Sequence, residues 1–510
     1  MSHSSAVREH AKSQVRQSAI DMTTLSSLLP RMALLQVLEI TGVVTFFLFV
    51  PVLTHGFGAE AVGIYAVVRR AMGFGIPIAT IGLNESLPYS VAVARDLPTL
   101  GGALLGCLLA ALAVGCAVLG VSTLFDGAGA RLLFGSADLR AFVVPTALVL
   151  VSTGIAATFS SLARGLDDFG TFAWVVLGIA ASPFIGLIAS GGSLKDTLIA
   201  MAVVSVVLSV LAAARLFPRI HGVRLRNAFA DARGILRTSI ARLPGVLLMA
   251  TLPLVIVLLA KETVGLARTG QFAVVLSMMV AVGGVASAFG VAALPGLAAS
   301  WRSGRRDEIL EVVVDALSAT LALMLLGAGV IFAAAGHLGA YLFGAGANVK
   351  TLIEFSVVLV PLLGVNAVLR YVVDAISERA INTRVFGITT AITLAVCVAG
   401  VMFDPDRMTE TAYVIAYFGC HVLVLLLSLR YARVAGLNVL AGAGELAKSA
   451  VAGFVAAACA AYLSRWFESV AGFAIVASAS GVLLIVLLFL FRSHWLRRLL
   501  GGIRGALGRR

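Results

Sequence analysis

Charge is what this sequence has least of. Asp, Glu, Lys and Arg supply 12% of its 510 residues against 60% hydrophobic, where a soluble domain carries about a quarter charged. That shortage excludes a water-soluble globule, and a mean hydropathy of +1.03 places the chain in a lipid bilayer. Cysteine is also sparse. Cys107, Cys116, Cys397, Cys420 and Cys459 are odd in number, lie in apolar runs and show no C-x-x-C spacing, which excludes a disulfide or zinc framework and leaves small core residues. The seven histidines are scattered without H-E-x-x-H; no metal site is expected, and His421, within an apolar run, receives no role. The absence of G-x-x-x-x-G-K-[ST] argues against ATP hydrolysis by this chain, and no cofactor is expected. Long polar connections are missing too. Those around 125 to 140 and 336 to 353 stay under about 20 residues, too little to hold the acid/base apparatus of a membrane glycosyltransferase, polymerase or ligase, so no catalytic residue is assigned.

What the chain has instead is fourteen apolar runs. They lie at about 32–54, 62–94, 99–124, 141–162, 170–190, 197–214, 243–260, 271–298, 312–335, 354–376, 385–403, 411–429, 447–463 and 470–491, each near the roughly 20 residues a spanning helix needs. The fold class expected is therefore an all-α polytopic membrane protein with fourteen transmembrane helices. The polar start and long first run indicate no cleaved signal peptide. The formal charge of +13 does not point to nucleic acid, because the basic residues are dispersed between apolar runs rather than gathered on a soluble face. With both termini cytoplasmic, 27 of the 38 Lys and Arg fall on the inner side, 8 on the outer side, and Arg69, Arg70 and Arg370 inside spans, a strong positive-inside bias.

A shift of 207 residues lays "GIYAVVRRAMGFGIPIATIGLNESLPYSVA" on "GQFAVVLSMMVAVGGVASAFGVAALPGLAA" with nine identities in thirty, including Gly63 on Gly270 and Pro88 on Pro295. This reads as two copies of a six-helix unit. The expected layout is a cytoplasmic tail (1–30), an N-terminal lobe (31–217), a basic cytoplasmic linker (218–242), a C-terminal lobe (243–434), two further helices (435–491) and a basic tail (492–510). In that tail Phe491, Trp495, Leu499, Ile503 and Leu507 recur among arginines, which suits an interfacial helix on anionic lipid. Duplicated halves related by an axis along the membrane normal are one construction of secondary transporters, with the substrate between them.

"FGAEAVGIYAV" after the first span resembles the glycine, acidic, glycine and tyrosine pattern of the polysaccharide transporter branch of the multidrug/oligosaccharidyl-lipid/polysaccharide flippase superfamily, and "ALPGLAAS" is similar to the matching helix end in that family's second lobe. The resemblance implies an alternating-access flippase that moves an undecaprenyl-diphosphate-linked oligosaccharide across a bacterial inner membrane for cell-surface polysaccharide such as lipopolysaccharide or exopolysaccharide. It also implies polysaccharide polymerase or glycosyltransferase partners, with membrane lipids around it. A drug or organic-cation:ion antiporter of the same superfamily is the first alternative, and a membrane glycosyltransferase, polymerase or ligase using a lipid-linked sugar is the second.

A charge near the bilayer centre costs about 2.5–3.5 kcal/mol on insertion scales, so it normally faces protein or a wet cavity. Arg69 and Arg70 are adjacent, about 100° apart on a helix, and both can border one cavity where their guanidinium forks would bind a diphosphate. The other placement leaves them snorkelling at the outer interface, since residues 71–94 alone are long enough to span. The repeat favours the cavity, because it sets them on Leu276 and Ser277, inside an apolar run. Arg370 is the third expected substrate-binding residue. Glu39, Glu85 and Asp374 are the expected counter-charges or carriers of H+ or Na+. Arg370 and Asp374 are four apart and can pair on one face. Pro77, with Gly73, Gly75 and Gly82 nearby, predicts a kink in the second span, and Gly102 with Gly106 predicts close helix packing.

Overall fold

Backbone N–H and C=O groups in hydrocarbon must be satisfied within the segment, so apolar runs of this length have little choice but helix. The computed structural model describes residues 25–94, 100–166, 168–219, 228–344, 349–377, 381–466 and 470–491, with 493, 495 and 496. Every regular element among them is helical. In chain order they are α1 (Leu25–Ala79), α2 (Leu83–Ala94), α3 (Leu100–Leu124), α4 (Asp126–Phe134), α5 (Val143–Gly165), α6 (Phe169–Ser190), α7 (Leu194–Leu216), α8 (Ala228–Val264) and α9 (Leu266–Gly284). There follow α10 (Ser287–Arg302), α11 (Arg306–Phe343), α12 (Lys350–Ser356), α13 (Leu359–Ile376), α14 (Ile381–Phe403), α15 (Glu410–Val434), α16 (Ala443–Leu463) and α17 (Val470–Leu490).

By length and composition twelve helices among the described residues can cross a membrane, with a shorter apolar helix at Ile475–Leu490. The difference from fourteen has a physical origin at each place. The first two expected spans lie on either side of Gly58 within α1, one helix bent at a single non-helical residue. The last is the short apolar helix. The second expected span is also divided, after Ala79, by a turn at residues 80–82 in which Ile81 and Gly82 take positive φ of 54° and 70°. The break therefore falls past Pro77, which stays within α1 while its carbonyl accepts from Gly82 N at 2.8 Å.

The expected linker is partly structured as well. Helix α8 begins at Ala228, inside the stretch expected as connection, because Ala228 and Ala232 pack on Gly106 of α3, where an added Cβ would lie 2.2 Å from the Ala228 carbonyl oxygen. Ser239 of α8 bonds Ser86 of α2, whereas Gly245 packs on Thr383 of α14. Helix α8 thus passes from one half of the molecule to the other across Pro244. Most of the basic tail lies outside the described residues; Trp495 Nε1 donates to Ser449 Oγ of α16 at 3.4 Å and Leu496 is buried.

Separate apolar clusters hold each half, one around Leu87, Leu104, Phe159 and Leu162, the other around Phe289, Ile309, Leu369 and Val372. The largest cluster joins them, with Phe49, Leu53 and Val67 of α1 against Phe272 to Met279 of α9, Leu363 of α13 and Tyr413 and Tyr417 of α15. Helix α16 lies on α11 through small residues, Gly453 against Ala322 and Gly329 against Ala457, the close approach that substitutes for a hydrophobic driving force in lipid. Val203, Val206, Val207, Val210 and Leu211 of α7 face outward, as a bilayer-facing surface requires.

Candidate functional site

The two segments that the 207-residue shift aligns, the expected repeat copies, touch each other at matched residues. Gly58 (φ 83°, ψ 175°) breaks α1, and Gly265 (φ 80°, ψ 163°), 207 residues later, separates α8 from α9 in the same conformation. That region of φ/ψ is essentially open only to glycine. Five residues on, Gly63 and Gly270 abut. A Cβ at Gly270 would lie 2.7 Å from Gly63 Cα, and one at Gly63 would lie 2.5 Å from the Leu266 carbonyl oxygen. Two turns beyond, Arg70 reaches its own counterpart: Nη2 donates to Ser277 Oγ at 2.7 Å and approaches the Ala273 carbonyl at 3.4 Å. The Ser277 hydroxyl proton is already given to Ala273 O at 2.6 Å, which leaves its lone pairs to receive the guanidinium.

Past this point the packing loosens. Arg69 lies over the Phe46 ring, 4.0 Å from its centroid, so the two limbs of α1 touch there. One turn further along each limb sit Gly73 and Gly42, and a Cβ added at either meets nothing within 4 Å; Gly73 is exposed. The paired arginines stand one turn from these two unfilled positions, about 16–18 Å along the helix from Gly58 at 1.5 Å per residue, and packing is tight again at Gly75, where a Cβ would lie 2.1 Å from Leu150 Cδ1. Both turn inward rather than toward the helix end, against Phe46 and against Ser277. Arg70 Nε is buried without a hydrogen-bond partner among the described residues. A guanidinium held by one edge keeps the other edge's donors for an acceptor with fork geometry.

Tyr417 of α15 belongs to the same buried cluster as Val67 and Val68 of α1. Its ring meets His421 edge-on at 4.6 Å. Asn366 Nδ2 of α13 donates to His421 O at 2.9 Å and stands 3.2 Å from Nδ1, while Asn366 Oδ1 is buried and unpaired among the described residues. Arg70 thus crosses to α9, while Tyr417, His421 and Asn366 join α15 to α13. Sequence reasoning set His421 aside and did not identify Tyr417 or Asn366. Their signal was present only as lone polar residues in apolar runs, and nothing in the spacing joins 70, 277, 366, 417 and 421.

The other expected site residues lie elsewhere. Arg370 and Asp374 are on α13 near its C-terminal end, with Tyr371 packed on Gly290. This group has contacts of its own. Its organising residue is Asn382 of α14, whose Nδ2 donates to Asp374 Oδ1 at 2.7 Å and to Arg370 O at 2.9 Å. Glu39 and Glu85 lie on α1 and α2; their side chains fall outside the described residues. Among the described residues no group of His, Cys, Asp and Glu has a metal-binding arrangement.

No family model and no curated protein sequence matches the chain. Solved structures do. Lipid II flippase MurJ in an inward closed conformation superposes with a TM-score of 0.62 at 13% identity, over 92% of this chain and all of that one. A multidrug resistance MATE transporter in an inward-facing conformation gives 0.59 at 15% identity, over 81% and 95%. A transporter from Pyrococcus furiosus, described as having a binding pocket of reverse polarity, gives 0.61 at 14%, over 84% and 98%. At these identities the likeness concerns the fold, and the chain has the fold of the multi-pass transporters of the MOP superfamily.

Proposed function

We propose that this chain is a flippase that carries an undecaprenyl-diphosphate-linked oligosaccharide across the bacterial inner membrane by alternating access, with Arg69 and Arg70 receiving the diphosphate. The observation that carries the reading is Arg70 in contact with Ser277 between the repeat copies, beside Arg69. In this reading a diphosphate competes with Ser277 for Arg70, and loss of the Arg70 to Ser277 contact frees the copies to part. The chemistry fits an anion, since both groups are permanently charged guanidiniums and bind phosphate bidentately. Fourteen crossings, two six-helix lobes and cytoplasmic termini belong to the same proposal, as do H+ or Na+ coupling through Glu39, Glu85 or Asp374 and a surface-polysaccharide polymerase or glycosyltransferase as partner. The solved structures that the chain resembles are transporters, which supports a non-enzymatic role.

A second reading, organic-cation antiport, is favoured by the likeness to multidrug MATE transporters and by exposed Asp374. One experiment separates the two. Leaflet-resolved translocation of a defined diphosphate-linked oligosaccharide is measured in proteoliposomes under varied ion gradients, beside efflux of a cationic dye. The flippase reading expects glycolipid translocation, reduced at least about tenfold by Arg70→Ala, equivalent to about 1.4 kcal/mol, and less by Arg69→Ala. Dye efflux without glycolipid movement would establish the second reading instead.

A further inference from the structure

The junction between the copies carries a second matched pair, four residues before each broken glycine. Thr54 precedes Gly58, and Lys261 precedes Gly265, at the same 207-residue offset. Each side chain crosses to the other copy and ends on the last carbonyls of a helix. Thr54 Oγ1 donates to Leu342 O of α11 at 2.8 Å, sharing its single proton with Val50 O at 2.9 Å. Lys261 Nζ donates to Leu132 O of α4 at 2.9 Å and lies 3.4 Å from Arg131 O. The two receiving helices end alike, "LLFG" at 132–135 and "YLFG" at 341–344, with positive φ at Gly135 and Gly344. A helix C-terminus leaves its last carbonyls unpaired and carries partial negative charge, which side-chain donors and cations satisfy.

We propose that Thr54 and Lys261 form a reciprocal pair of caps that hold this end of the transporter shut, so that opening toward that side requires both helix ends to be uncapped. Two features support a latch over ordinary packing. The Lys261 side chain is 5% exposed, and its remaining charge is met by Glu262 Oε1 at 3.0 Å. A buried ammonium that loses its carbonyl partners must find water or another acceptor, so the capped arrangement is one discrete state. The caps also flank the Gly63 to Gly270 contact, the tightest point between the copies on α1 and α9. The strengths differ by chemistry: the cation engages the negative helix end, whereas the hydroxyl is neutral and divides its proton.

The proposal rests on movement of one half against the other and on no particular substrate. Hydrogen exchange of the full-length protein in detergent, read by mass spectrometry, tests it without a ligand. In the double variant Thr54→Val with Lys261→Met, amides at 60–66 and 267–273 are expected to exchange at least about tenfold faster, while those of α5 (Val143–Gly165) keep wild-type rates. Lys261→Met alone should account for most of the change, and Lys261→Arg, which keeps a cationic donor, for little. Unchanged exchange at 60–66 and 267–273 in the double variant would overturn the latch. A uniform rise that includes α5 would overturn it too, by showing that the caps hold the fold rather than one end of it.

Discussion

Equivalent positions in the two copies differ in one consistent way. At 58 and 265, and again at 63 and 270, both copies keep glycine. At 70 and 277 the residues are Arg and Ser, and at 54 and 261 they are Thr and Lys. The glycines answer a backbone demand that is the same for both copies, a conformation or an approach that no Cβ permits. The polar positions answer electrostatics, and at 70 and 277, where a residue touches its own counterpart, the two cannot be alike. Two guanidiniums at 70 and 277 would face each other at hydrogen-bond distance in a poorly screened site. One copy supplies the charge and the other supplies the acceptor.

Ser277→Arg is the harshest challenge to that comparison, because it restores symmetry. It is expected to abolish transport and to lower the thermal unfolding midpoint, through like-charge repulsion and the loss of the Ser277 acceptor. Retained transport would show that position 277 tolerates charge and would undo the argument from asymmetry. Gly270→Ala comes next. Its Cβ would lie 2.6 Å from Gly63 N and 2.7 Å from Gly63 Cα, contacts with backbone that no rotamer relieves, for an expected cost of about 1–3 kcal/mol. The check is thermal unfolding beside Gly73→Ala, which meets nothing within 4 Å and should be nearly silent; equal effects would remove the distinction between the tight and open ends. Smallest is Asn382→Ala, which removes the donor to Asp374 Oδ1 and Arg370 O. About 1 kcal/mol of stability is expected to go with it, while the translocation loss caused by Arg70→Ala should remain additive, since the contacts of Asn382 are to α13 and those of Arg70 to α9. A non-additive double variant would join the two groups.

Particular residues show how far a linear reading reaches. The offset of 207 found Gly63 on Gly270 and set Arg70 on Ser277, so it named a contacting pair without implying contact. It extends unaided to Gly58 with Gly265 and to Thr54 with Lys261, positions whose kinship is masked because only the glycines are identical. Pro77 drew attention as a kink, yet the break formed at residues 80–82, where Ile81 and Gly82 take positive φ. The basic stretch before residue 243 read as linker because its charges hide an alanine face, Ala228 and Ala232, that fits Gly106. Arg370 is grouped with Arg69 and Arg70 by chemistry alone, and its own carbonyl is held by Asn382.

Composition and periodic apolar length settled that this chain crosses a membrane as helices, because hydrocarbon allows a backbone few other ways to pair its polar groups. The 207-residue offset suggested which residues correspond, Gly63 with Gly270 and Arg70 with Ser277. Which polar side chains meet was decided by packing, since the contacts of Arg70 with Ser277 and of Asn366 with His421 depend on how separate helices are rotated and raised against one another. Rotation and height come from the summed contacts of glycines and apolar side chains along every interface, a sum that no local stretch of the chain contains.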